Sequence, residues 1–201
     1  MPTPNWSRLV IAAAAGTAFV LVWATTGALD FLFAKAIVSV SSVVILGLLA
    51  FDRWLWRIKP FRWLHRRPVL HGTWKIELRT THEPRARETI EAYLVIRQTY
   101  SNIGVDGIFE ISHSHCLSAS LVTTEGRCTL NYLFRTEAQT RHRKGNPPAR
   151  GAASLRVARL PRLHLEGDYW MERETRGEIK SVRYTPKIYD TFESARTADY
   201  T

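Results

Sequence analysis

Apolar residues in the first quarter of the chain form two long runs, separated by a short polar break. Residues 9–29 are 21 residues without a charge, and Asp30 ends this run. At about 1.5 Å per helical residue such a run reaches roughly 31 Å, enough to cross the hydrocarbon core of a bilayer, which is about 30 Å thick. A second run of 16 residues, Ala36–Phe51, follows. The pattern predicts a two-helix transmembrane hairpin over residues 1–56.

From His71 onward the spacing of apolar residues changes to strict alternation, which is typical of strands. Eight segments with one apolar face each lie at 73–79, 90–98, 103–111, 117–121, 128–134, 153–157, 163–171 and 177–184. Short loops between such strands favour an antiparallel meander, and closure into a barrel removes its unpaired edges. Behind the N-terminal transmembrane α-hairpin, the sequence therefore predicts an all-β domain over residues 71–185. We expect an eight-stranded antiparallel up-and-down (meander) β-barrel, enclosing a filled core or one small ligand.

Charge is concentrated around the predicted hairpin. The net charge is +10, and residues 1–70 contribute +6 through eight Lys or Arg against two Asp. The basic and aromatic linker, residues 57–70, suits either an interfacial belt or binding of anionic lipid. The positive-inside bias predicts a multi-pass membrane protein with both termini and the barrel in the cytoplasm. Neither DNA nor RNA is an expected partner, and residues 186–201 are expected to form a frayed tail.

The two cysteines, Cys116 and Cys128, flank a predicted turn at 125–126. Strand pairing across that turn places Cys128 opposite Thr123 and Cys116 opposite Arg135. The two cysteines are then about 24 Å apart along the strands. That separation is too large for a disulfide, so two free thiols are predicted.

The sequence carries no recognisable catalytic motif. A P-loop, an HExxH motif and a nucleophile elbow are all missing. Glu166 and Asp168 share the outer face of one predicted strand and make a poor acid–base pair. His113, His115 and Cys116 have no second ligand pair at metal spacing. We therefore predict a protein that is not an enzyme and that holds no metal or cofactor.

Basic loops are expected at one end of the barrel, because alternate loops of a meander meet at the same end. They lie at 82–87, 112–115, 137–150 and 173–177. A positive rim that includes Arg173 and Arg176 would attract anions to a barrel mouth. Loop 137–150 is either a solvated connection or a lid over an anionic ligand.

Several aromatic or polar residues also occupy the inward register, namely Trp74, Gln98, Tyr132 and Tyr169. Two interpretations remain open for them. They fill the core with their polar tips bonded to the backbone, or they line a pocket. In a pocket, rings would stack on nucleobases and nearby arginines would pair with phosphates.

Short motifs accompany this architecture: G-T-W-K at 72–75, I-R-Q-T at 96–99, S-H-S-H-C-L-S-A-S at 112–120, L-N-Y-L-F at 130–134 and L-E-G-D-Y-W at 165–170. With two membrane helices ahead of a β-rich domain, the chain resembles the two-transmembrane β-barrel effectors of cyclic-oligonucleotide-based antiphage signalling (CBASS). Those effectors accompany bacterial cyclic-nucleotide synthases. The resemblance extends from Arg8 to about Tyr184.

The resemblance implies that the barrel binds a cyclic dinucleotide, made after phage infection by a cognate nucleotidyltransferase. Binding would drive self-association, and the hairpin would disrupt the inner membrane and kill the infected cell. It also implies that Trp74, Gln98, Tyr132 and Tyr169 form the pocket wall. Arg97 and Thr99 share the I-R-Q-T motif, although strand alternation points both outward. The expected ligand-binding residues are therefore Trp74, Gln98, Tyr132, Tyr169, Arg97, Thr99, Arg173 and Arg176.

Two other functions remain open at this point. The barrel could be a membrane-tethered, lipocalin-like binder of an apolar small molecule. It could instead be a structural interaction module that binds no ligand. A barrel packed solid with side chains would favour the last of these.

Overall fold

The computed structural model describes residues 16–18, 31–58, 67–81, 88–158 and 162–200. Within the helix that begins at Phe31, side chains are described from Ser39 onward. The chain divides into two compact units. The first contains residues 1–67 and 99–101, and the second contains residues 68–98 and 102–201.

The first unit contains the helix α1, Phe31–Arg53, and a short 3-10 helix, Leu55–Arg57. The second apolar run is thus helical, as predicted, but its predicted role as one span of a transmembrane hairpin is not supported. The first run lies outside the described residues, apart from 16–18, which are helical. Among the residues that the structure describes, no helix is long and apolar enough to cross a membrane.

Asp52, near the end of α1, holds the turn residues 99–101 within this first unit. Its carbonyl oxygen accepts a hydrogen bond from Tyr100 N at 2.9 Å, and its carboxylate accepts one from Ser101 N at 2.8 Å. The ring of Tyr100 meets those of Phe51 and Trp56 edge-on, at centroid distances of 5.2 and 6.2 Å. The unit therefore has an aromatic cluster of its own.

The second unit is the predicted barrel. Its strands are β1 Gly72–Thr80, β2 Thr89–Gln98, β3 Ile103–Ile108, β4 Ser112–Thr124, β5 Arg127–Ala138, β6 Ala149–Ala158, β7 His164–Met171 and β8 Arg176–Thr185. Each strand pairs antiparallel with the next, and β8 pairs with β1 to close the sheet. The up-and-down order is confirmed. Alternation places Ile76, Ile96, Leu130, Leu155 and Leu165 fully inside, where their burial stabilises the closed sheet.

A β-bulge in β4 changes one predicted pairing. The register shifts between Cys116 and Ser118, so that Cys116 lies opposite Phe134 rather than Arg135. Leu117 carries the extra position and is 56% exposed, although alternation predicted it inside. A bulge adds one residue to one strand, so the alternation shifts by one: even-numbered residues face inward before the bulge and odd-numbered residues after it. Neither cysteine forms a disulfide, as predicted.

The C-terminal segment is folded onto the barrel, in contrast to the frayed tail expected from sequence. It forms the helix α2, Phe192–Arg196, whose N-terminus is capped by the side chain of Thr191. Ala195 is fully buried in a second apolar cluster with Tyr93 and Val95. These two residues lie on the outer face of β2. Because β2 is apolar on both faces, it needs a cover on each side.

Candidate functional site

A cavity of about 570 Å³ occupies the end of the barrel at which β1 finishes, here called the mouth. That volume lies within the range of small-molecule sites, roughly 300–1,000 Å³. Ile76, Leu94 and Ile179 contribute apolar wall, while Asn146 and Pro147 come from the loop between β5 and β6. The barrel is therefore not filled by side chains, which counts against a solid interaction module.

Aromatic rings line the cavity because glycines face them on neighbouring strands. Phe134 lies opposite Gly151, where an added Cβ would come within 2.6 Å of the ring. Tyr169 lies opposite Gly177, where the corresponding distance to Cε1 is 2.5 Å. A side chain at either glycine would push the ring away. The glycines therefore set the positions of two rings in the cavity wall.

Five serine and threonine residues add hydroxyls to the lining: Thr80, Ser112, Ser114, Thr136 and Thr175. Ser112 and Ser114 belong to β4, which begins five residues earlier than the predicted strand. Both serines are buried, whereas His113 and His115 between and after them are more exposed. The S-H-S-H motif thus alternates inward serines with outward histidines. Hydroxyls can donate or accept hydrogen bonds, so the wall suits a polar ligand as well as an apolar one.

The two tyrosines of the cavity differ in their surroundings. Burial is the main factor that raises the pKa of Tyr169, and a hydrogen bond with the side chain of Thr80 partly opposes it. Tyr132 is 5% exposed, and burial raises the pKa of its hydroxyl further. Both hydroxyls therefore remain protonated near neutral pH, where they can act as hydrogen-bond donors.

Arg173 supplies positive charge at the mouth. Its guanidinium donates a 2.6 Å hydrogen bond to Asn146 Oδ1, and both residues line the cavity. This bond joins the β7–β8 turn to the β5–β6 loop. Arg141, Arg143 and Lys144 of the predicted basic rim are exposed and do not line the cavity, and the predicted basic loop 82–87 lies outside the described residues. Among the described residues, Arg173 is the cationic side chain of the cavity wall.

Trp74 and Gln98 lie at the opposite end of the barrel, outside the cavity. Gln98 is almost fully buried, and its side chain accepts a 2.7 Å hydrogen bond from Leu70 N and donates a 3.1 Å bond to Pro68 O. Trp74 Nε1 donates to Leu70 O at 2.9 Å. Both residues hold the segment that enters β1. They match the sequence interpretation in which polar tips bond to backbone inside the core.

The remaining predicted site residues also lie outside the cavity. Arg97 is exposed and bridges Asp106 at 2.6 Å and Asp190 at 2.5 Å. Thr99 belongs to the first unit, with Ser101 as a hydrogen-bond neighbour at 3.5 Å. Arg176 is exposed at the start of β8, on the outer surface. Of the eight predicted residues, the structure thus brings Tyr132, Tyr169 and Arg173 together in the cavity wall.

Sequence analysis missed the hydroxyl-bearing and loop residues of the wall. Thr80 and Thr136 continue the inward register of their strands by two residues, which is a signal that extension of the alternation could have revealed. Asn146 and Thr175 lie in loops, where no periodicity exists to follow. Within the described part of the chain, no group of three or more His, Cys, Asp or Glu side chains could hold a metal ion.

The sequence of this barrel is similar to that of known proteins. A family model described as "Cap15, cyclic dinucleotide receptor domain" matches residues 65–183, which include every described residue of the cavity wall. CD-NTase-associated protein 15 of Staphylococcus schleiferi is 24% identical over 143 residues, covering 71% of this chain and 74% of that protein. These matches confirm the resemblance to CBASS effectors predicted from the motifs. The chain belongs to the Cap15 cyclic dinucleotide receptor domain family.

Proposed function

We propose that the barrel binds a cyclic dinucleotide in the cavity at its mouth, and that the protein acts as a receptor rather than as an enzyme. The observation that carries the proposal is the cavity itself, in a chain of this family. A cyclic dinucleotide has two bases and two phosphates. Aromatic and apolar walls suit the bases, and Arg173 with the surrounding hydroxyls suits a phosphate.

Calorimetry on the purified full chain in detergent tests this proposal. Cyclic di-GMP, cyclic di-AMP, mixed cyclic dinucleotides and cyclic trinucleotides form the panel, and the matching linear dinucleotides serve as controls. We expect saturable binding of at least one cyclic dinucleotide and weaker binding of its linear counterpart. The absence of binding across the whole panel would rule out the receptor function.

We further propose that ligand binding promotes self-association and that the N-terminal segment then disrupts the bacterial inner membrane, with the barrel in the cytoplasm. The sequence of residues 9–29 supports a membrane role because it contains no charge. Val40, Val43 and Leu46 of α1 are each more than 60% exposed, which suits an apolar environment. The basic linker suits anionic headgroups.

Vesicle leakage tests the membrane step separately. The full chain is reconstituted into dye-loaded vesicles of phosphatidylethanolamine and phosphatidylglycerol, and the bound cyclic dinucleotide is added. We expect leakage that depends on ligand and rises steeply with protein density, with oligomers detected by crosslinking. Ligand binding with no leakage at any density would contradict membrane disruption while preserving the receptor.

A second candidate function is binding of an apolar small molecule. It is favoured by the aliphatic part of the cavity wall, to which Leu78 and Ile90 also contribute. Mass spectrometry of organic extracts from the purified chain distinguishes the two functions. A stoichiometric lipid that cyclic dinucleotides fail to displace would favour this candidate.

A further inference from the structure

The two tyrosine hydroxyls of the cavity differ in their hydrogen bonding. Within the described part of the chain, no group forms a hydrogen bond with the hydroxyl of Tyr132. The residue is 95% buried and lines the cavity. By contrast, the hydroxyl of Tyr169 bonds to Thr80 in the same wall. The Tyr132 oxygen is not sealed in by protein atoms but is open to the cavity, where a ligand can bond to it.

The position of Tyr132 makes a ligand the natural partner. Along β5, Tyr132, Phe134 and Thr136 all line the cavity, and Tyr132 lies farthest from the mouth. The wall there is otherwise apolar, with Ile76 on β1 and Leu94 on β2. A polar ligand atom that reaches this depth loses its hydrogen bonds to water. The hydroxyl of Tyr132 is positioned to replace one of them. In such a setting, the presence or absence of one hydrogen bond discriminates strongly between ligands.

We propose that the Tyr132 hydroxyl reads the edge of the nucleobase that enters the cavity deepest, and so determines which cyclic dinucleotide is preferred. This inference rests on the receptor function proposed above. The bases point inward, where rings and aliphatic side chains surround them, while a phosphate stays near Arg173 at the mouth. The hydroxyl donates to a ring nitrogen or carbonyl, or accepts from an exocyclic amino group.

The test compares Tyr132→Phe with the wild-type full chain in detergent, by calorimetry and by thermal unfolding. The variant removes one oxygen and keeps the ring. We expect the affinity for the preferred cyclic dinucleotide to fall about tenfold or more, and the preference over the other members of the panel to shrink. Without ligand, the Tm should not fall, because no protein hydrogen bond is lost.

Tyr184→Phe is the matched control. Tyr184 also packs against the barrel core, but its hydroxyl donates a 2.8 Å hydrogen bond to His71 O and lies outside the cavity. This variant should lower the Tm and leave both affinity and preference unchanged. Tyr132→Phe is thus expected to change affinity and preference but not Tm, whereas Tyr184→Phe is expected to change Tm alone.

The possible results separate the inference from the function on which it rests. Wild-type affinities in Tyr132→Phe, or an equal loss for every ligand, would overturn the role of Tyr132 in preference and leave the receptor intact. A drop in Tm as large as that of Tyr184→Phe would show a structural partner for the hydroxyl and would also overturn it. Failure of the wild-type chain to bind any cyclic dinucleotide would overturn both.

Discussion

Arg173 is held at the mouth by a neutral partner. Its guanidinium bonds to the amide oxygen of Asn146, and no acidic side chain competes for it in an ion pair among the described residues. A charge-assisted hydrogen bond to phosphate is stronger than one to an amide. An incoming phosphate can therefore replace Asn146 as the partner of Arg173 at little cost.

Replacement of Arg173 by Ala should weaken binding of the cyclic dinucleotide about tenfold or more, because charge-assisted hydrogen bonds contribute about 1.5–3 kcal/mol each. Isothermal calorimetry measures the loss. Arg143→Ala is the control, since Arg143 is an exposed arginine like Arg173 but lies on the β5–β6 loop outside the cavity wall. Equal losses in both variants would indicate attraction by the general positive field rather than a contact at Arg173.

For Gln98 we predict a loss of stability without a loss of ligand affinity, because its side chain bonds to buried backbone groups outside the cavity. Gln98→Leu removes the partners of Leu70 N and Pro68 O and leaves these backbone groups buried. The free energy of unfolding should fall by about 1–3 kcal/mol, as measured by urea denaturation. Ligand affinity should stay within about twofold of wild type. A large loss of affinity with unchanged stability would instead place Gln98 in the binding site.

At the scale of elements, β2 shows how one strand joins two apolar clusters. Its inward residues face the barrel core, while Tyr93 and Val95 face α2. The Tyr93 hydroxyl also donates a 2.5 Å hydrogen bond to Glu91, which pairs with Lys75 at 2.5 Å. The C-terminal helix is therefore bound to the barrel by a small apolar cluster bordered by a polar network.

Glu91 should make stability depend on pH. Burial alone would raise its pKa, but hydrogen bonds from Lys75 and Tyr93 outweigh this effect and lower the pKa from 4.5. A carboxyl with a lower pKa in the folded state stabilises the fold above its unfolded-state pKa. This contribution is lost as the pH falls through the folded-state pKa.

The measurement compares the Tm of wild type and Glu91→Gln between about pH 7 and about pH 3. The wild type should be more stable at neutral pH, and the difference should disappear below pH 4.5. Glu110→Gln, in the exposed β3–β4 turn, should follow the wild type throughout. A constant difference between wild type and Glu91→Gln across the range would contradict the predicted pKa shift.

At the scale of the whole molecule, charge is distributed unevenly. The chain carries +10, and residues 1–70 account for +6 of it. In the cavity wall, by contrast, Arg173 is the cation among the described residues. The strong positive charge of the protein therefore says little about the ligand site, and belongs mostly to the segment with a proposed membrane role.

Ligand affinity should accordingly depend only moderately on salt. Raising NaCl from about 50 mM to about 500 mM shortens the Debye length to a few ångströms and screens exposed charges most. We expect the affinity of the wild type to fall several-fold, and that of Arg173→Ala to fall less. A loss of about a hundredfold or more in the wild type would mean that further cations contact the ligand.

Much of this architecture follows from local sequence pattern. The alternation of apolar residues determined the eight strands, their meander order and the inward positions of Tyr132 and Tyr169, because facing in a strand depends only on position along it. Two details of the barrel were not predicted from the alternation. The bulge at Leu117 reversed one inward position, and the apolar outer face of β2 was overlooked, although Tyr93 and Val95 already marked it in the sequence.

Only the tertiary structure decided which part of the interior is open. Gly151 and Gly177 face two aromatic rings of the cavity wall across neighbouring strands, and that pairing depends on register between segments distant in the chain. For the same reason, sequence could not tell that Gln98 binds backbone at one end, or that the Tyr132 hydroxyl nearer the other end has no hydrogen-bond partner among the described residues. Whether a residue faces inward depends on its own strand. The open space beside the Tyr132 hydroxyl depends on how all eight strands pack together.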